Sequence, residues 1–190
     1  MVVIDGPAFV HMNPPRQSKT FRDYCKIELG EKLKKIADKV EELDLIFDVY
    51  SSDSLKTETR ENRGKGVRAS VKESTSIYSD FKNFLRHDDN KTELFQLIAK
   101  SISDFLSHVS TKVMCTKLKT VTSNSDDNLD SLHPCNHEEA DTRIFVHLNR
   151  ASSMGLKRVL IKCNDADVVA IAIAQYHDLG IEELWVEFGV

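Results

Sequence analysis

The order of apolar and polar positions divides this chain into alternating strand-like and helix-like segments. Val2-Val3-Ile4 is a short apolar run closed by Asp5-Gly6-Pro7, the form of a buried strand stopped by a turn. From Thr20 to about Leu43, apolar residues (Phe21, Tyr24, Ile27, Leu29, Leu33, Ile36, Ala37, Val40) recur at three- and four-residue steps. That period predicts a helix, with Thr20 as its cap and Asp23 completing a weak capping box. Asp44 to Tyr50 reads as a second buried strand. Ser51 to Ser79 is polar and basic without a clean period, which predicts a loop. Asp80 to about His108 is helical again, in two pieces broken near Asp88-Asp89-Asn90, the second with Phe95, Ile98, Ala99, Ile102, Phe105 and Leu106 on one face. Thr111 to Thr122 predicts a strand and Ser123 to Pro134 a polar loop. Glu138 to about Ser152 predicts a helix, Arg158 to Cys163 a strand, Asp167 to Tyr176 a helix and Glu183 to Phe188 a final strand.

Strands that alternate with helices predict an α/β domain with a mostly parallel central sheet covered on both faces. The chain stops at Gly189-Val190 directly after a strand, which reads as a fold cut short at its C-terminus. Its 190 residues suit one domain, and 41% hydrophobic with 29% charged residues is ordinary for a globular protein. The longest apolar run, Val168 to Ala174, is too short to cross a bilayer, so no membrane partner is expected. Met1 to Asp5 lacks the form of a signal peptide. Cys25, Cys115, Cys135 and Cys163 are widely spaced without a CxxC pair, which predicts reduced thiols and an intracellular location, nucleus or cytoplasm. The net charge of −4 argues against a uniformly basic nucleic-acid binder. Yet Leu55 to Lys72 carries Lys56, Arg60, Arg63, Lys65, Arg68 and Lys72 against only Glu58 and Glu61.

The candidate chemistry lies in acids at the ends of apolar runs. Asp5 follows Val2-Val3-Ile4, Asp48 follows Leu45-Ile46-Phe47, and Asp165 and Asp167 follow Arg158 to Cys163. Glu138, Glu139 and Asp141 open the segment beginning at His137; on a helix, Glu138 and Asp141 would share a face. Acids at strand ends converge at one edge of an α/β sheet, where such folds place their sites. Carboxylates gathered there repel one another unless cations lie between them, and Mg²⁺ or Mn²⁺ prefers such oxygen ligands. Each acid also has a plain structural role open to it: Glu138, Glu139 and Asp141 as a charged helix start, Asp5 and Asp165 as turn residues, Asp167 as a helix cap. Two zinc readings use neighbouring residues. His133, Cys135 and His137 could join Cys163, and His137-Glu138-x-x-Asp141 is similar to HExxH with its second histidine lost.

Taken together, these motifs resemble the PIN-like 5′-nuclease superfamily, which includes the flap endonucleases and asteroid-like proteins. Asp5 matches the family's first acid and Phe47-Asp48 its Phe-Asp-Gly, with Val49 in place of the glycine. Leu55-Lys56 and Arg63 match its Leu-Lys and the arginine seven residues beyond that lysine. Glu139-Ala140-Asp141 is similar to its Glu-Ala-Glu, with a shorter last acid, and Asp165-Ala166-Asp167 to its Asp-x-Asp. Arg63-Gly64-Lys65-Gly66 and His137 to Arg143 also resemble strings in a group of animal proteins associated with mobile elements. The resemblance implies a three-layer PIN-like domain and two-metal hydrolysis of DNA or RNA, single-stranded or flapped. Asp5, Asp48, Glu139, Asp141, Asp165 and Asp167 would be the ligands, Glu138 an outer-shell group, and Lys56 and Arg63 the catalytic cations. Arg60, Lys65 and Arg68 would bind nucleic acid. The family continues past its last strand to another acid. The alternative is therefore a degenerate, inactive PIN-like module that binds nucleic acid or protein.

Overall fold

The computed structural model describes residues 1–50 and 66–189. A six-stranded sheet forms the centre: β1 (Val2–Asp5), β2 (Glu42–Ile46), β3 (Lys112–Lys117), β4 (Thr120–Ser123), β5 (Arg158–Cys163) and β6 (Glu183–Phe188). Its order is β4-β3-β2-β1-β5-β6, parallel throughout except for β4, which runs antiparallel to β3. The chain therefore builds outward from β1 to β2 and β3, then returns to the other side of β1 with β5 and β6. The reversal lies between β1 and β5. In open α/β sheets, the crevice beyond the carboxyl ends of the strands at such a reversal is where ligands bind.

Alternation along the strands sends two apolar sets to opposite faces. Val2, Ile4, Leu43, Leu45, Val113 and Cys115 meet the first helical layer. That layer comprises α1 (Gly6–Met12), α2 (Phe21–Asp23), a π-helical stretch (Tyr24–Gly30), α3 (Glu31–Ala37), α4 (Phe81–Phe84) and α5 (Asp88–Phe105). Val3, Ile46, Val159, Ile161 and Cys163 face the second layer, α6 (Ala140–Ser153) and α7 (Ala166–Gln175). Among the described residues no helix is long and apolar enough to cross a membrane.

Several expected boundaries move. The helix from Thr20 does form with its capping box, Thr20 and Asp23 exchanging side-chain and backbone bonds. Its π-helical stretch changes the phase, so Ile27 is 59% exposed rather than inward. The break between α4 and α5 falls at 85–87, just before the Asp88-Asp89 pair. The strand expected over Thr111 to Thr122 is instead a hairpin, β3 and β4, turning at Leu118 with φ of 51°. The helix expected from Glu138 begins at Ala140, with Glu139 extended before it (φ −100°, ψ 141°). Glu138 and Asp141 therefore do not share a helical face. The final helix starts at Ala166, so Asp165 rather than Asp167 is its cap.

Candidate functional site

Four elements deliver carboxylates to one cleft. Asp5 ends β1 and caps α1, its Oδ1 accepting from Ala8 N at 3.1 Å, with Pro7 in the first turn where its missing N–H costs nothing. Gly6 makes the next approach possible. A Cβ there would lie 2.4 Å from the Phe47 ring and 2.7 Å from Ile46 O, so only glycine lets α1 start so close to the end of β2. Phe47 is held in turn by stacking on Phe95 (4.6 Å between centroids) and by its N–H donating to Thr116 Oγ1 at 2.7 Å.

Asp48 follows Phe47 and is oriented from two sides. Its Oδ1 accepts from Ala140 N at 2.8 Å, the first residue of α6, and its Oδ2 accepts from the Tyr50 hydroxyl at 2.9 Å. Val49 N donates to Glu138 O at 2.6 Å, so the two backbones meet here and fix the extended entry to α6. Asp141 lies in the first turn of that helix, where its charge suits the dipole. Asp165 leaves β5 and accepts from Asp167 N at 2.9 Å.

Asp5, Asp48, Glu139, Asp141 and Asp165 line one cleft of about 140 Å³ together with Pro7 and Ala140. Burial pushes the Asp5 carboxyl up to about 7, and the neighbouring charges of Asp48, Asp165 and Asp141 add to the rise. Burial likewise raises Asp48, with Glu139 contributing, while bonds from Ala140 and Tyr50 pull it back in part. Asp5, Asp48 and Asp165 have no ion-pair partner among the described residues. The donors are hard oxygens suited to Mg²⁺ or Mn²⁺. They are not drawn in to coordination geometry: among the described residues no group of three or more His, Cys, Asp or Glu side chains is set to hold a metal ion.

The remaining expected residues divide three ways. Glu138 takes part through its backbone carbonyl, and Asp167 is exposed in the first turn of α7; neither side chain lines the cleft. Lys56, Arg60, Arg63 and Lys65 lie outside the described residues. Arg68 is engaged elsewhere, paired with Glu93 and bonded to Asn90 Oδ1 at 3.0 Å. The zinc set does not assemble: Cys163 ends β5, whereas Cys135 N donates to Lys119 O beside the β3–β4 turn, across the sheet.

Sequence reasoning missed a buried ionic strip on the same β2 and α6. Arg150 Nη1 donates to Glu42 Oε1 at 2.9 Å, and His147 Nδ1 lies 2.6 Å from Asp44 Oδ2 with both side chains fully buried. Arg143, also buried, donates to the carbonyls of Leu118 and Thr120. The signal was present: Glu42 and Asp44 alternate along one side of a strand, and Arg143, His147 and Arg150 recur at helical steps. No protein-family model matches this chain, and no curated protein or solved structure matches it.

Proposed function

We propose that this domain is a metal-dependent phosphodiesterase that cleaves DNA or RNA, as its resemblance to the PIN-like 5′-nucleases implies. One observation carries the reading. Carboxylates from β1, from the end of β2, from the start of α6 and from the end of β5 open on one cleft at the sheet's switch point, and Asp5 is pushed up to about 7 by burial and by its neighbours. Such a group of oxygen donors suits divalent cations, and a perturbed acid in a cleft marks a site. Two divalent ions, when bound, supply an activated water and stabilise the leaving oxygen.

The chain's own residues set the stage for that chemistry. Asp5 and Asp165 flank the crevice between β1 and β5. Asp48 is turned into the cleft by Tyr50 and the Ala140 N–H. Glu139 and Asp141 close it from the start of α6. Lys56 and Arg63 would offset phosphate charge, and Glu138 and Asp167 would act from outside the cleft.

Incubating the protein with labelled single-stranded and flapped oligonucleotides in Mn²⁺ or Mg²⁺ tests this. Cleavage that disappears in Asp165→Asn and in chelator supports it. The second reading, an inactive binding module, is favoured by the absence of a ready metal geometry among the described residues. Binding without cleavage in either metal would establish that reading and sink the first.

A further inference from the structure

The acidic cleft has two flanks of opposite character. Beyond β5, residues 164–167 are exposed, and the carboxylates of Asp165 and Asp167 among them repel an anionic strand. On the α1, α4 and α5 side, outside the lining of the cleft, stand two lysines and a histidine that none of the motifs above assigns. Lys91 of α5 is held inward, with only 15% of its side chain exposed and its ammonium 3.9 Å from the centroid of the Tyr50 ring. The hydroxyl of that same tyrosine holds Asp48. Lys91 also pairs with Asp88 Oδ1 at 2.8 Å, so its position is set by a carboxylate and a ring together. On α1, Pro7 lines the cleft and His11 stands four residues on, along the same side of the helix.

Phe81 of α4 packs edge-on against Tyr24 at 5.5 Å, and the Tyr24 hydroxyl donates to Asn13 O at the end of α1 at 2.6 Å, so Lys82 and His11 stand on adjoining elements. Burial lowers the His11 imidazole's proton affinity, and the positive charges of Lys91 and Lys82 lower it further. Nearby acids are already engaged: Asp88 with Lys91, Asp89 with Arg68 and His87, and Asp80 in capping α4 through Asn83 N. Lys82 is exposed and has no ion-pair partner among the described residues.

We infer that Lys91, Lys82 and His11 form a phosphate-binding flank that guides one strand of a nucleic acid across α1, α4 and α5 into the acidic cleft. The inference rests on the proposed function, which it deepens by giving the strand a direction. Lys91 is the inner contact, tied through Tyr50 to Asp48, while Lys82 and His11 take phosphates further out.

Fluorescence anisotropy with a labelled single-stranded oligonucleotide in Ca²⁺, over a series of salt concentrations, measures the flank apart from cleavage. Lys82→Ala/Lys91→Ala should weaken binding on the order of ten-fold at low salt, and should flatten the log–log salt slope by about 1.4, two contacts at roughly 0.7 each. Lys82→Ala alone, at an exposed position, should give about half that change in slope. Lys91→Arg, which keeps the charge, should retain most of the affinity. Lys157→Ala, ahead of β5 at the opposite edge of the sheet, should change nothing. Equal slopes in wild type and double variant, or no binding by the wild type, overturns the inference. Cleavage in Mn²⁺ with unchanged slopes would leave the nuclease reading standing and this one refuted. Slopes that fall without any cleavage would do the reverse.

Discussion

The same two elements, β2 and α6, carry buried carboxylates of two kinds. Along their length, Glu42 and Asp44 meet Arg150 and His147 at 2.9 and 2.6 Å, and Lys112 adds a further cation to Glu42 at 3.4 Å. At their ends, Asp48 and the first turn of α6 meet Asp5 and Asp165, and no cation is paired with any of these three aspartates among the described residues. Burial and then Asp44 raise Glu42, with Arg150 and Lys112 opposing; at Asp5, burial and three more carboxylates raise the group, and it is the Ala8 N–H, not a cation, that opposes them. The fold thus pairs Glu42 and Asp44 with internal cations, while Asp5, Asp48 and Asp165 form no ion pair among the described residues. The proposed function draws on these three aspartates, at the sheet's switch point; the acids paired inside the fold serve packing.

The largest effect should come from breaking the compensated region. Arg150→Ala leaves Glu42 buried without its main partner and should cost about 3–5 kcal/mol, read as a fall in the urea midpoint at unchanged slope. Removing both charges with Glu42→Leu/Arg150→Met should cost much less, because no orphaned ion remains. If the single and double variants lose equally, Glu42 and Arg150 are not a coupled pair and the contrast between the regions collapses.

The cleft should respond with the opposite sign. Asp5 is held up to about 7 in the folded protein against an ordinary value near 4. Between those values the folded state keeps a proton that the unfolded chain has released, so metal-free stability falls as pH rises through this window. The cost is absent below about pH 4 and complete above about pH 7, where it reaches roughly 4 kcal/mol as an upper bound. Asp5→Asn keeps an N-cap acceptor for Ala8 and carries no charge. In chelator the variant should match wild type at pH 4 and be more stable at pH 8, by denaturant unfolding at both pH values. A variant less stable than wild type at pH 8 would mean that Asp5 acts chiefly as a cap.

How much of this was readable depended on whether a local signal competed with a distant contact. β5 and β6 occupy the expected positions because short apolar segments bounded by turns leave little choice. The β3–β4 hairpin was hidden because Leu118-Lys119 lacks the Asn-Gly or Asp-Gly chemistry that announces such turns. Glu138 and Glu139 look like a helix start by dipole preference, yet bonds from Val49 N to Glu138 O and from Ala140 N to Asp48 hold the entry extended. Those partners lie some ninety residues away, beyond the reach of any local pattern. The strand-end acids could be named because strand ends are local. The ionic strip escaped because Glu42 fell in the expected tail of a helix and Asp44 and His147 in separate elements, so the pairs Glu42–Arg150 and Asp44–His147 became visible only with strand and helix packed together.

The smallest effect is the most direct test of whether the cleft takes a metal ion. An ion that binds only the folded protein stabilises it by mass action, about 1.4 kcal/mol at a tenfold excess over its dissociation constant. For a chain of this length that is on the order of 3–5 °C in melting temperature. Mn²⁺ or Mg²⁺ should give this rise above pH 7, where Asp5 has lost its proton, and little of it near pH 5, where an ion must displace that proton. Asp165→Asn keeps the cap bond to Asp167 N but removes one ligand charge, so it should fold normally and respond less. Cys135→Ser, beside the β3–β4 turn and away from the cleft, should respond like wild type. A thermal-shift series over metal concentration at the two pH values reads all three proteins. A response lost in Cys135→Ser but kept in Asp165→Asn would move the metal away from the carboxylates and towards thiolate ligation. An equal response in all three would mean that the ions act on the general surface, and the acids of the cleft would then be charged turns and caps alone.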